Sequence, residues 1–327
     1  MTNDKSLEKQ IAIAATIEAA QLCDRVRQTP ASPTLNKVDA SPVTVADFGS
    51  QALICRALTR AFPRDPIVAE EDAGQLQQPE FADCLNRVVA QVRAIVPEAT
   101  ATEIIEWIAL GGGDTASRYW TLDPIDGTKG YIRGDQYAIA LALIENGQVE
   151  LGLLACPALP VDPQRPMQGR GVLFVAQRDR GTERMSLDGS QTQRLRVNSA
   201  NDFSQLCMIQ SVESAHSDRE KMAALAARLG FPQPPLEMDS QAKYGAIARG
   251  QADLYLRIPR PEFATLREKI WDHAAGAIVV SEAGGTMTDL DGLPLDFSAG
   301  SKLYNNRGIV ASNGVIHEQV VAALKSL

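Results

Sequence analysis

The sequence predicts a mixed protein, α+β in its first part and α/β in its second. Three observations carry this. Residues 6–28 place apolar side chains at Leu7, Ile11, Ala14, Ala15, Leu22 and Val26, the stripe of a helix with one buried face. Residues 137–144 and 149–155 are apolar runs joined through Asn146-Gly147, a pair that supplies the positive φ of a tight hairpin turn. Beyond about residue 198, strand-like and helix-like segments alternate, the pattern of an α/β layer.

The elements follow in order. A loop rich in Pro and Ser covers 29–42. Thr44 then suits the N-cap of a helix reaching about residue 62, with Asp47 in the first turn, where the helix dipole favours an acid. Residues 66–69 read as a short strand ending at Glu70-Glu71-Asp72. Helices are expected over 80–96 and 101–110, the second with Thr100 and Glu103 in capping-box register. The apolar run 119–122 is a strand leading into Asp123, and 171–176 and 195–197 are further strands of the hairpin's sheet. In the second part we expect strands over 206–212 and 254–258. Helices are expected over 218–229, 240–248, 273–283 (stopped by Gly284-Gly285) and 315–324. The change of pattern puts a domain boundary near Asn198, dividing an N-terminal α+β domain, 1–198, from a C-terminal α/β domain, 199–327.

Composition narrows the function classes. The chain is 45% hydrophobic and 22% charged over 327 residues, values of an ordinary globular protein. No run of 18 apolar residues is present, so no membrane helix is expected, and the start, MTNDKSLEKQ, has no apolar core of a secretory signal. Five dispersed cysteines without a CxxC pair point to reduced thiols in a cytoplasmic setting. Three histidines without shared metal-ligand spacing argue for an oxygen-ligand metal over a histidine centre. A net charge of −8 with no long basic run argues against a coat for nucleic-acid polymers, though not against a small anionic substrate.

The chemistry concentrates at acidic residues placed where strands end or helices begin. Asp123-Pro124-Ile125-Asp126-Gly127-Thr128 sets two carboxylates three residues apart, with Pro and Gly bending the backbone. Crowded carboxylates repel, and a hard divalent cation such as Mg²⁺ relieves the repulsion. Glu70-Glu71-Asp72 and Asp272, just before the apolar run 274–280, complete the set. Taken singly, each has a plain structural reading: a polar turn, a solvated loop, a helix cap. Three such clusters at element ends are not explained by capping alone. His273 reads as a structural residue or one that supports a ligand residue from behind, and His317 as a surface residue.

Together these motifs resemble the inositol-monophosphatase superfamily of lithium-sensitive, Mg²⁺-dependent phosphatases. Its signatures are an acidic pair, Asp-Pro-x-Asp-Gly-Thr and a later Trp-Asp-x-Ala-Ala-Gly, matched in order by Glu70-Glu71, the segment from Asp123 to Thr128, and Trp271-Asp272-His273-Ala274-Ala275-Gly276. The long interval between Glu70 and Asp123 is similar to the 3'(2'),5'-bisphosphate nucleotidase branch. So are Ser41 to Asp47, Ser211 to Ser217, Asp239 to Tyr244 and Asp253 to Arg257. The resemblance covers nearly the whole chain and implies a layered αβαβα sandwich, of the kind also found in fructose-1,6-bisphosphatases. It implies that Glu70, Asp123, Asp126, Asp272 and the carbonyl of Ile125 ligate Mg²⁺. Asp47 and Thr128 would activate a water. Gly127 and Thr128 would cradle a phosphate, and His216, Ser240, Lys243 and Arg257 would contact a nucleotide. The implied reaction converts 3'-phosphoadenosine 5'-phosphate to AMP and phosphate, in a monomer inhibited by Li⁺.

Other readings stay open at this point. Haloacid-dehalogenase-type phosphatases also place an acidic loop after a strand, but their two acids are two residues apart and the first is a nucleophile. Inositol phosphates or fructose 1,6-bisphosphate are alternative substrates, and a non-catalytic nucleotide sensor could share the fold. Taken without the resemblance, Lys243 is a solvated helix residue and Arg257 an edge-strand charge.

Overall fold

The structure is a computed structural model that describes residues 5–29, 35–36, 42–213, 217–232 and 234–326. Helix α1 (Ser6–Gln28) leads. A two-residue ladder pairs β1 (Leu35–Asn36) with β2 (Pro42–Val43), and α2 (Val45–Ala61) follows. Next come β3 (Ile67–Ala69), α3 (Ala73–Leu76), α4 (Ala82–Arg93), α5 (Ala101–Ala109), β4 (Arg118–Asp126) and α6 (Thr128–Arg133). A meander is then built from β5 (Ala138–Glu145), β6 (Gln148–Pro160), β7 (Arg170–Gln177), β8 (Gly181–Ser186) and β9 (Thr192–Arg194). The remainder is β10 (Met208–Gln210), α7 (Arg219–Leu229), β11 (Leu236–Glu237), α8 (Ala242–Ala248), β12 (Leu254–Arg257), α9 (Ala274–Glu282), β13 (Thr286–Thr288), β14 (Ile309–Ser312) and α10 (His317–Leu324).

Two sheets organise these elements. One runs β3-β4-β5-β6-β7-β8-β9, antiparallel except for the parallel pair β3 and β4. The other runs β11-β10-β12-β14-β13, with β10 parallel to both of its neighbours. Three apolar cores separate five layers. The first lies between α1, α2, α4, α5 and one face of the larger sheet. The second holds α8 and α9 between the two sheets. The third lies beneath α7 and α10 on the far face of the smaller sheet. Strand alternation does the sorting: Ile139, Leu141 and Leu143 enter the first core, while Ala138, Ala140 and Ala142 face the second. Those small residues let α9 lie close. A Cβ on Gly152 would stand 2.3 Å from Ile278 Cγ2 and 3.0 Å from the Ala275 carbonyl oxygen. The result is the αβαβα sandwich expected. No helix of the described residues is long and apolar enough to cross a membrane.

The differences from the sequence reading have physical causes. Residues 195–197 are not a strand: the chain leaves the sheet after β9, and the Val197 N–H donates to the Ala283 carbonyl at the end of α9. The strand expected over 206–212 shortens to β10, and the helix expected over 240–248 starts at Ala242 because Ser240 adopts a φ of 64°. The helix expected from residue 80 begins at Ala82, after a 3₁₀ turn over Pro79–Phe81. His317 is buried, not a surface residue: Thr288 and Ser312 hydroxyls meet its two ring nitrogens at 2.9 and 2.8 Å. Lys243 is buried as well, and Arg257 ends a strand paired on both sides, so neither the solvated nor the edge-strand reading survives.

Candidate active site

The site forms at the C-terminal ends of β3 and β4. Parallel register sets Ala69 beside Leu122, and the Glu70 N–H donates to the Leu122 carbonyl at 3.2 Å, so Glu70 emerges next to Asp123. Residues three apart on a regular strand point to opposite faces. Here a bulge corrects that. Asp123 pairs with Ala140 and Asp126 with Ala138, so three steps on β4 oppose two on β5. Ala138 and Ala140 both face the layer of α8 and α9, so Asp123 and Asp126 share that face. Side chains pin the bulge from outside. Ser50 Oγ donates to the Pro124 carbonyl at 3.1 Å, and Thr128 Oγ lies 3.2 Å from the Ile125 carbonyl.

Gly127 then turns the chain into α6 with a φ of 84°, and a Cβ there would stand 3.0 Å from the Ser240 Cβ. Glycine meets both demands. Asp272 arrives from the other side, at the end of a 3₁₀ turn (Ile270–Asp272) preceding α9. Glu70, Asp126 and Asp272 line one cavity of about 360 Å³ with Gly127 and Thr128, while Asp123 is buried on the same face of β4, before Asp126.

The electrostatics are those of buried acids, with repulsion between them as a lesser contribution. Burial raises the Asp126 carboxyl above its ordinary range; Lys243 and the Gln241 N–H oppose this, and Glu70 adds to it. Asp272 is raised well above its range by burial, against Arg257 and with Asp126, Glu268 and Glu70. An oxygen-only donor set under mutual repulsion fits a hard divalent cation. The trio Glu268, Asp272 and His273 also brings ligand atoms within 4.8 Å of one another. Two of its members are already engaged. Glu268 pairs with Arg257 Nη2 at 2.8 Å, and His273 Nδ1 lies 2.7 Å from the Tyr244 hydroxyl. That trio therefore belongs to an ion-pair network. Although burial alone would raise it, the Glu268 carboxyl is held well below its usual range by Arg257 and His273. The structural role expected for His273 fits this network.

Behind the cavity, Asp47 is fully buried in the first turn of α2. Its Oδ2 accepts from the Thr44 N–H at 2.8 Å and the Thr44 hydroxyl at 2.6 Å. Its Oδ1 lies 3.3 Å from Thr128 Oγ, which donates to it. The capping box thus fixes the carboxylate that faces Thr128.

The opposite wall is cationic and aromatic. Lys243 Nζ donates to the Ser240 carbonyl at 2.6 Å and sits 5.1 Å from the Tyr255 ring centre. Arg257, Ser240 and Tyr255 line the same cavity. At its rim, Glu213 accepts from Arg133 at 2.6 Å, and Arg133 also pairs with Asp239.

The structure thus brings Glu70, Asp126, Gly127, Thr128, Ser240, Lys243, Arg257 and Asp272 to one cavity, with Asp47, Asp123 and Ile125 directly behind it. His216 lies outside the described residues. In the sequence, Gln241, Tyr244 and Tyr255 fall within segments similar to substrate segments but carry no role of their own, and Glu268 carries none. No spacing signals Glu268, which reaches the site only because Arg257 ends β12 beside it.

Comparison with known proteins gives the family and the fold. The profile described as "Inositol monophosphatase family" matches residues 4–327. A 3'(2'),5'-bisphosphate nucleotidase of Schizosaccharomyces pombe is 41% identical, covering 97% of this chain and 94% of the relative. One of Oryza sativa is 42% identical, covering 99% of this chain and 95% of the relative. Among solved structures, the extragenic suppressor protein suhB of Bartonella henselae superposes with a TM-score of 0.67 at 18% identity, covering 98% of this chain and 99% of that one. A Thermotoga maritima IMPase gives 0.66 at 20% identity, covering 97% and 96%. At such identities these two speak to the fold alone.

Proposed function

The chain belongs to the inositol monophosphatase family, and we propose that it is a Mg²⁺-dependent 3'(2'),5'-bisphosphate nucleotidase. It removes the 3'-phosphate of 3'-phosphoadenosine 5'-phosphate, leaving AMP and phosphate. The observation that carries this reading is one cavity with two walls, an acidic one of Glu70, Asp126 and Asp272 and a basic one of Lys243 and Arg257. The relatives named above, similar over nearly their whole length, support the same reading.

The carboxylates of Glu70, Asp123, Asp126 and Asp272 and the carbonyl of Ile125 would hold Mg²⁺. When bound, the ion lowers the pKa of water and offsets charge on the phosphoryl oxygens. Thr128 gives its hydroxyl proton to Asp47, which leaves its oxygen lone pairs to accept a proton from the attacking water. Asp47, fully buried, acts through Thr128. Backbone N–H groups at Gly127 and Thr128 receive the reacting phosphate, where the absence of a Cβ leaves room. Lys243 keeps N–H donors beyond the one given to Ser240, and Arg257 keeps donors beyond those given to Glu268; both suit the 5'-phosphate. Ser240 and His216 complete the nucleotide contacts. Five free cysteines, four of them buried, suit a reducing, cytoplasmic compartment.

A substrate panel with Mg²⁺ tests this. We expect kcat/KM to be highest for 3'-phosphoadenosine 5'-phosphate among nucleotide, inositol and sugar phosphates. A higher value for inositol 1-phosphate or fructose 1,6-bisphosphate would overturn the substrate assignment.

A further inference from the structure

We propose that Gln241 is a positioning residue that sets the spacing between the carboxylates of Asp126 and Asp272. The proposal rests on the reading of those carboxylates as cation ligands. The two acids come from segments far apart in the chain, one from the bulged end of β4 and the other from the turn before α9. Gln241 touches both segments. Its backbone N–H donates to Asp126 Oδ2. Its side-chain Nε2 donates to the carbonyl of Trp271, the residue before Asp272, at 2.8 Å. Its Oε1 accepts from the Gly276 N–H at 3.1 Å.

The last bond has a structural reason. The first turn of a helix leaves N–H groups without helical partners, and His273, at the N-cap of α9, supplies no side-chain acceptor. Gln241 supplies one from another element. The side chain is buried, so water does not compete for these groups. Ser240, at a φ of 64°, aims the Gln241 N–H away from the helical direction of α8 and toward Asp126. One residue thus spans the two ligand segments, its main chain on one and its amide on the other. Groups that orient ligands in this way contribute to cation affinity without touching the cation.

Two variants test this. Gln241→Met keeps the bulk and removes both side-chain hydrogen bonds. Gln241→Glu keeps an acceptor for Gly276 but sets a carboxylate against the Trp271 carbonyl, and adds a negative charge beside the site. Mg²⁺ affinity is measured by titration calorimetry without substrate, beside Asp126→Asn and Asp272→Asn as controls. We expect both Gln241 variants to bind Mg²⁺ roughly 10- to 100-fold more weakly than the wild type. We also expect KM at saturating Mg²⁺ to move far less. Weaker binding by Gln241→Glu is the decisive sign, because the added charge by itself would tighten binding. It also carries the test should Gln241→Met fail to fold. Wild-type affinity in Gln241→Glu, with binding lost in the Asn controls, would overturn the positioning role and leave the ligand assignment standing. Unchanged affinity in the Asn controls would overturn both.

Discussion

Thr128 is where the chemistry is most exposed to a single change. Its hydroxyl joins the cavity to the fully buried carboxylate of Asp47. Thr128→Val keeps the shape and removes the proton path. We expect kcat to fall roughly 10²- to 10⁴-fold with KM changed little, and Thr128→Ser to recover much of the loss. Steady-state kinetics at saturating Mg²⁺ decide it, and equal kcat in Val and Ser variants would remove Thr128 from proton transfer. Arg257 makes a different claim, about specificity. Its guanidinium is held by Glu268 at the end of β12, on the basic wall. Arg257→Ala should raise KM for the bisphosphate more than for a phosphomonoester. An equal rise for both substrates would take Arg257 out of recognition of the second phosphate.

Among the elements, the helix caps and the hairpin were legible in the sequence because their causes are local. Thr44 caps α2 with Asp47 in its first turn, Thr100 and Glu103 form the box their spacing implies, and Asn146-Gly147 turns β5 into β6. The bulge that puts Asp123 and Asp126 on one face was not legible, since it exists only relative to β5. His317 was misread for the same reason: Thr288 on β13 and Ser312 on β14 enclose it, and neither strand stood out in the sequence. Its burial yields a pH prediction. Burial lowers the His317 pKa below its ordinary value, against a small opposing effect of Glu318. The unfolded chain therefore takes up a proton more readily than the folded one. Stability supplied by the neutral ring is present above the unfolded value of about 6.5 and is lost as pH falls below it. Unfolding free energies from denaturant titrations between pH 8 and 5.5 should fall more steeply for the wild type than for His317→Gln. The difference in slope should be at most about 1.4 kcal/mol per pH unit. Parallel slopes would show that His317 does not contribute to the acid sensitivity.

Across the whole molecule, the five layers explain why the acids meet. The larger sheet is built from residues before 198 and the smaller one from residues after, yet α9 packs on both. Asp272 lies at the entry to that shared layer, so the fold delivers it to Asp126 and Glu70, acids from far earlier in the chain. The motifs alone indicated which acids belong together, because the family pattern records the outcome of this packing. They did not indicate Glu268 and marked Gln241 only as part of the Asp239 to Tyr244 segment, because the partners of both are set by tertiary approach. The central claim is that carboxylates from three separated segments share one cation site. Crystals soaked in Mn²⁺ and measured at the manganese edge test it most directly. The account expects an anomalous peak within coordinating distance of Glu70, Asp126 and Asp272. A peak bound elsewhere, or none at these residues in a fully occupied soak, would contradict it.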